Sequence, residues 1–306
     1  MLRKTTGLAA AAVLAAGLGF AAGAPAQAGT SATTGTSAAN AACSLRLGSV
    51  TATGAHTSRT VTATAPITVG GVRGTAGVFA PGQVQHTGTF VGSPFGNGES
   101  RRGLTVLGGA LHSSAYVVDG QSQIDPHYPH NNLRIGGGWG NFRWIEQSIH
   151  RPSRNTLYGQ QTDGTMHRWV AEGAGWRKTG GVGGLSTVKS MTLISRTATY
   201  ETFLANTRSG QLMTVRWPTS YLSVPSASTV RATTWQGFEQ LIATKCGATG
   251  TLLLGIDRDT QSGYLYAVGH AAGGSTVIKS LGKVPMTFSD PKYFRWAPVN
   301  DTLNGD

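Results

Sequence analysis

Thr156-Leu-Tyr-Gly-Gln-Gln-Thr-Asp-Gly-Thr-Met-His-Arg-Trp169 is the stretch that decides the fold. It reads as a β-prone run, an Asp-Gly turn, and a second run that ends on an aromatic residue. Asp-Gly suits a tight hairpin because the turn needs positive φ, which glycine adopts without steric cost. The plan recurs on either side. Thr202-Phe-Leu-Ala-Asn-Thr-Arg-Ser-Gly210 is followed by Gln211-Leu-Met-Thr-Val-Arg-Trp217. Leu252-Leu-Leu-Gly-Ile-Asp-Arg-Asp-Thr-Gln-Ser-Gly263 is followed by Tyr264-Leu-Tyr-Ala-Val268, and Ala115-Tyr-Val-Val-Asp-Gly120 opens the series. Taking Gly120, Gly164, Gly210 and Gly263 as turn glycines gives a repeat of about 44–53 residues, the length of a four-stranded propeller blade.

A second marker keeps the same rhythm. Trp139-Gly-Asn-Phe142 returns as Trp235-Gln-Gly-Phe238, with Leu185-Ser-Thr-Val188 in the equivalent place between them, and Phe142-Arg-Trp144 returns as Phe294-Arg-Trp296. The blades so delimited are 139–184, 185–232 and 233–283. The segment 88–138 makes a fourth, and 44–87 a degenerate fifth. The Phe294–Trp296 strand has no blade after it, so the expectation is an all-β propeller of five blades, six being the alternative count. N- and C-terminal strands would share a sheet and close the ring, which removes exposed edges. No long segment keeps a helical period.

Arg3 and Lys4, the Ala/Gly-rich apolar run from Gly7 to Gly23, and Ala26-Gln27-Ala28 form a secretory signal over 1–28. Residues 29–42 hold nothing large and apolar and read as a flexible leader. The folded domain is then 43–306, and the protein is expected to be secreted, with no transmembrane segment. Two cysteines in an oxidising compartment, Cys43 and Cys246, predict one disulfide.

Lys and Arg number 25 against 13 Asp and Glu, and no acid precedes Glu99. Such a chain is drawn to polyanions, acidic envelope polymers among them. It carries no dense Lys/Arg run of the kind that marks a specific nucleic-acid patch. Nucleophile-elbow, zinc-protease, P-loop and dinucleotide motifs are all missing, so no cofactor and no catalytic residue is expected. Glu146, Glu172, Glu201 and Glu239 are the carboxylates a glycosidase would draw on; Glu146, Glu172 and Glu239 fall near strand ends and are expected on the solvent face. Asp125-Pro-His-Tyr-Pro-His130 reads as an exposed loop rather than a metal site. Asp257–Gly263 reads as a wide hairpin turn rather than a calcium loop.

Gly136-Gly-Gly-Trp-Gly-Asn-Phe-Arg-Trp144, Thr156-Leu-Tyr158, Asp163-Gly164 and Trp169 together resemble the repeat of the tachylectin-type lectins. The resemblance is strongest in 139–184 and weaker in 185–283, where Leu185 replaces Trp and Ser-Gly replaces Asp-Gly. It implies a five-bladed propeller that binds N-acetylated sugars in clefts between blades. Sugar binding asks for an aromatic platform beside fixed hydrogen-bonding groups. Trp139, Asn141 and Asp163 are the candidate contacts, with Trp235 and Gln236 in their echo. All seven Trp lie inside the repeats, where aromatic residues also serve as inter-blade core. The expected function is lectin-like and non-catalytic, directed at envelope or other glycans. A protein-interaction propeller serving as binding subunit of a secreted complex is the alternative, and a secreted glycosidase a third.

Overall fold

The computed structural model describes residues 42–306 except Arg151, Ser153 and Ala174. The signal over 1–28, and the leader over 29–42 apart from Ala42, lie outside the described residues. From its start the described chain forms β1 (Ser44–Val50), β2 (His56–Thr62) and the short β3 (Thr68–Val69) and β4 (Arg73–Thr75). Then come β5 (Val84–Thr87), β6 (Phe90–Phe95), β7 (Gly98–Leu107), β8 (Ala110–Val118) and β9 (Asn131–Gly136). Blade 1 is β10 (Phe142–His150), β11 (Arg154–Gln161), β12 (Met166–Glu172) and β13 (Gly175–Val182). Blade 2 is β14 (Val188–Arg196), β15 (Tyr200–Thr207), β16 (Leu212–Pro218) and β17 (Ser226–Arg231). Blade 3 is β18 (Gln240–Cys246), β19 (Gly250–Asp257), β20 (Ser262–Val268) and β21 (Ile278–Lys283), after which β22 (Lys292–Pro298) ends the strand series.

These three blades are antiparallel meanders at the limits read from the sequence. The rest is one ten-stranded sheet in which β22 pairs antiparallel with β1 and parallel with β6. Phe294 lies opposite Gly48, so the late Phe-Arg-Trp strand closes on the strand that follows Cys43, as expected. The innermost strands pack side by side in the order β5, β10, β14, β18, β22 and back to β5, forming a ring around an axial channel. Cys43 and Cys246 are disulfide-bonded with Cα atoms 5.4 Å apart, tying the first strand's start to blade 3. Closing so long a loop contributes on the order of 2–4 kcal/mol.

Burial follows position in the blade. The second strands are covered on both faces and read as near-continuous runs: Phe203, Leu204 and Ala205 in β15, and Leu252, Leu253 and Leu254 in β19, are all fully buried. The outermost strands are the opposite. Gly-Trp-Arg-Lys-Thr-Gly-Gly-Val of β13 and Ser-Ala-Ser-Thr-Val-Arg of β17 carry small, polar and basic residues that discourage edge pairing.

Three expectations are corrected. Gly164 and Gly210 hold the positive-φ hairpin turns (φ 90° and 95°), but Gly120 and Gly263 do not. The true counterpart of the first is Gly109 (φ 78°), between β7 and β8: its carbonyl accepts from Trp139 N as that of Gly210 accepts from Trp235 N. Gly263 lies inside β20, where a Cβ would sit 2.4 Å from the Phe288 ring. Next, β5 belongs with the 88–138 unit, because it pairs with β7. Finally, Glu146 is not on the solvent face. It is buried, accepts from Thr89 Oγ1 at 2.6 Å, and faces the axial channel.

A size match repeats around the ring. Phe142 lies on Gly159, Phe238 on Gly255, Phe90 on Gly103 and Phe294 on Gly48, each so close that a Cβ on the glycine would meet the ring at 2.2–2.8 Å. In blade 2 the corresponding residues are Val188 and Ala205, a smaller side chain facing a larger one in the same buried cluster. Gly159→Ala should therefore destabilise by about 1–3 kcal/mol through overpacking. Phe142→Val combined with Gly159→Ala, which copies blade 2, should recover most of that loss. Urea melts of the two single variants and the double check this; strictly additive losses would refute it.

Candidate functional site

The interface between the β6–β9 unit and blade 1 opens into a cleft of about 1350 Å³. Three tryptophans line it. Trp139 is 8% exposed and forms its floor, with its ring 4.5 Å from Phe142 and 4.8 Å from Trp169. Trp169 on β12 and Trp176 on β13 are only partly buried. Ala171 lies opposite Trp176 across the hairpin and two residues from Trp169, so all three share one face, with a small side chain between the two rings.

Polar groups ring this apolar floor. Gln147 Nε2 donates to Asn155 Oδ1 at 2.8 Å, leaving each amide further hydrogen-bonding capacity. Arg102 and Arg134 are exposed on the opposite wall, and neither has an ion pair among the described residues. Arg154 also lines the cleft, but its guanidinium is committed to Glu201 and the carbonyls of Thr197 and Ala198. Leu133, 63% exposed, stands among the lining residues. No Asp or Glu is among them.

The next two interfaces along the chain are shut by specific devices. Between blades 1 and 2, Arg168 reaches across to donate to Pro218 O at 2.6 Å and Ser220 O at 2.7 Å, and stacks on Trp217. Between blades 2 and 3, residues 303–306 fill the gap: Gly305 N donates to Ile194 O, Ala271 N donates to Gly305 O, and the Asp306 carboxylate accepts from Thr202 and Arg216. Beside the disulfide, Leu45, Ile67, Ile242, Leu252 and Val284 belong to one buried cluster. The groove between β1–β2 and β6–β8, about 530 Å³, is lined by Arg46, Arg59, Arg73, Arg101 and Glu99 without an aromatic side chain.

The residues chosen from sequence divide. Trp139 belongs to the cleft, as floor rather than exposed platform. Asp163 lies in the β11–β12 turn and Asn141, just ahead of β10, against it, both outside the cleft lining. Thr162 N donates to Asn141 O, and the Asp163 carboxylate accepts from Thr165 N at 2.7 Å, a turn-capping bond that lowers its pKa. Trp235 is core, 5% exposed, with its ring 4.9 Å from Tyr266, and Gln236 is an exposed neighbour whose carbonyl accepts from Lys189 Nζ. Trp169, Trp176, Arg102 and Arg134 were not selected. Alternation along β12 and β13 was the signal for the two tryptophans, whereas the arginines come from a unit without a visible repeat.

The remaining sequence candidates are accounted for locally. Glu201 is fully buried between blades 1 and 2. Glu172 pairs with Arg177, and Glu239 with Lys189. Asp125 Oδ1 accepts from His127 N and contacts its ring, and Asp257 Oδ1 accepts from Thr260 N, both ordinary turn bonds.

No family model matches the chain, and no curated protein matches it. Solved structures with similarity include the fucose-specific lectin from Aleuria aurantia in its mercury-derivative form (14% identity, 86% of this chain and 88% of that one, TM-score 0.48). Another is SapL1 lectin in complex with α-methyl fucoside (12% identity, 75% and 76%, TM-score 0.43). At such identities no ligand is carried over from them.

Proposed function

We propose that residues 43–306 form a five-bladed propeller that is exported and that binds a glycan, without transforming it, in the cleft between the β6–β9 unit and blade 1. One observation carries this reading: Trp169 and Trp176, the Gln147–Asn155 amide pair, and the unpaired Arg102 and Arg134 converge on a single groove. Tryptophan offers an apolar face for a sugar ring's C–H surface, and the amides and guanidinium groups suit its hydroxyls. Two cations and no carboxylate favour an acidic sugar, such as a uronate, over a cationic one. The usual glycosidase routes need two carboxylates flanking the bond, which this groove does not offer. The disulfide suits export to an oxidising compartment.

A glycan array carrying neutral, uronate and sulfated sugars should give binding to at least one acidic class. Trp169→Ala and Trp176→Ala should each weaken it tenfold or more with melting nearly unchanged, while Asn141→Ala and Asp163→Asn leave it intact. Trp139→Ala tests folding rather than binding, since it removes a core ring. Binding that survives both Trp169→Ala and Trp176→Ala overturns the assignment. If the wild type binds no glycan, Tyr221, Leu222 and Val224, each 67–70% exposed in one loop, favour the protein-binding alternative.

A further inference from the structure

The axial channel, about 320 Å³, is lined by the end of β5 and the first halves of β10, β14, β18 and β22. Its mouth carries one charged or titratable residue from each: His86 on β5, Arg143 on β10, Lys189 on β14, Glu239 just ahead of β18, and Lys292 on β22. Arg258 from the β19–β20 turn joins them. Glu239 is the one carboxylate among the lining residues at this end, with Asp257 acting on Lys189 from the adjoining end of β19, and Glu239 is already used: Lys189 Nζ pairs with it, and Arg258 N donates to its second oxygen at 2.7 Å. Glu146 lines the channel deeper in, bonded to Thr89 and attracted by Arg295. Arg143 donates to Gln160 and to the Leu185 carbonyl, and Arg258 to the Pro291 carbonyl, so neither guanidinium meets a carboxylate. The Lys292 ammonium has no ion pair or hydrogen bond among the described residues.

We infer that this mouth is a binding site for a tetrahedral oxyanion, a sulfate or phosphate group, held by Lys292 and Arg258 with Arg143 and His86 beside them. Lys292, Arg258 and Arg143 have no ion pair among the described residues, although Asp163 on the β11–β12 turn attracts Arg143; inside a concave, partly desolvated opening they repel one another, and a multiply charged anion relieves that repulsion. The titration of the lining groups reports the same field. Burial first, and Arg258 second, lower the Lys292 pKa. Burial, then Lys292, bring His86 down to about 4, against a backbone hydrogen bond to Phe142 that raises it. An anion between these groups should favour the imidazolium and bind more tightly as His86 takes up its proton. The site is separate from the tryptophan cleft, and its occupant differs in kind from a stacked sugar ring.

Sulfate is the probe of choice, because its charge is constant across the range tested. Calorimetric titration at low ionic strength should give saturable 1:1 binding that strengthens about twofold from pH 7 to pH 5. Lys292→Gln and Arg258→Gln should each weaken it about tenfold or more, whereas Arg102→Gln, in the cleft, leaves it unchanged. In the wild type, sulfate should raise the NMR titration midpoint of the His86 ring by one unit or more, a readout that survives if a variant misfolds. Comparing glycerol 3-phosphate with inorganic phosphate separates a pendant ester from a free ion; either supports the site. No saturable binding, an unmoved His86 midpoint, or full binding in Lys292→Gln overturns it.

Discussion

Glu201→Ala should cost about 3–5 kcal/mol, because it strips the partner from a charge held between two blades. Glu201 opens toward blade 1 from β15 and is fully buried. Its carboxylate accepts from Ser148 Oγ at 2.5 Å, from Arg154 Nη2 at 3.0 Å and from the Tyr158 hydroxyl. Those donors sit on β10 and β11, so this one side chain clasps blade 1 to blade 2. Removing it leaves Arg154, with a side chain 13% exposed, facing only carbonyls. Tyr158 gives independent witness: burial raises its pKa well above the ordinary value, and the Glu201 charge raises it further. Glu201→Gln keeps hydrogen-bonding capacity and loses the charge, so its loss should be smaller. Urea denaturation of both variants measures the pair. A loss below about 1 kcal/mol for Glu201→Ala would show that the clasp is dispensable.

Periodicity made the blades legible. Trp139, Leu185 and Trp235 each start the same i→i+3 turn, with Phe142, Val188 and Phe238 donating back to them, so the marker comparison landed on true equivalents. The glycine comparison was half right for a physical reason. Blade 3 makes its turn over 258–261, with Gln261 at φ 50°, and the ten-stranded sheet makes its own at Gly108–Gly109, so Ser262-Gly263 lies within a strand, while Asp119-Gly120 opens a real turn, closed by Ser122 N donating to Asp119 O with the positive φ at Ser122, that is not the blade hairpin's equivalent. A better signal was present in the spacing of Phe142 to Gly159 and Phe238 to Gly255, which Val188 and Ala205 repeat. It pairs residues on adjacent strands, and its meaning depends on knowing that the ring lies over the missing Cβ.

The candidate site was less legible. A motif names residues that are near in sequence, and the Trp139–Asn141 and Trp235–Gln236 neighbours point different ways once folded, ring inward and amide outward. The cleft instead joins β12 and β13 to arginines on β7 and β9, a juxtaposition that arises only when the two consecutive units pack against each other. Its openness, too, rests on what fails to fill it. Arg168 and residues 303–306 close the next two interfaces along the chain, and neither role is marked by a repeat.

Between pH 7 and pH 4.5 the protein should lose stability through His56. His56 is fully buried at the start of β2, within 4.5–5.6 Å of the rings of Phe79, Phe90, Phe294 and Trp296. Its Nδ1 meets the Tyr116 hydroxyl at 2.5 Å, and its Nε2 has no hydrogen-bond partner. Burial first, then the charges of Arg101 and Arg46, hold its pKa well below 6.5, so the fold contains the neutral ring. Below pH 6.5 the unfolded chain takes up a proton that the native state refuses. Stability from this group is therefore complete above about pH 6.5 and falls by about 1.4 kcal/mol per unit as pH drops toward the folded-state pKa. His86, brought down to about 4, adds a fall in the same direction. Urea melts from pH 7.5 to 4.5, in buffers free of sulfate and phosphate, should show this slope in the wild type. His56→Gln, which preserves a partner for Tyr116 but does not titrate, should show roughly half of it, the share that His86 retains. An unchanged slope in His56→Gln would assign the acid sensitivity to other groups.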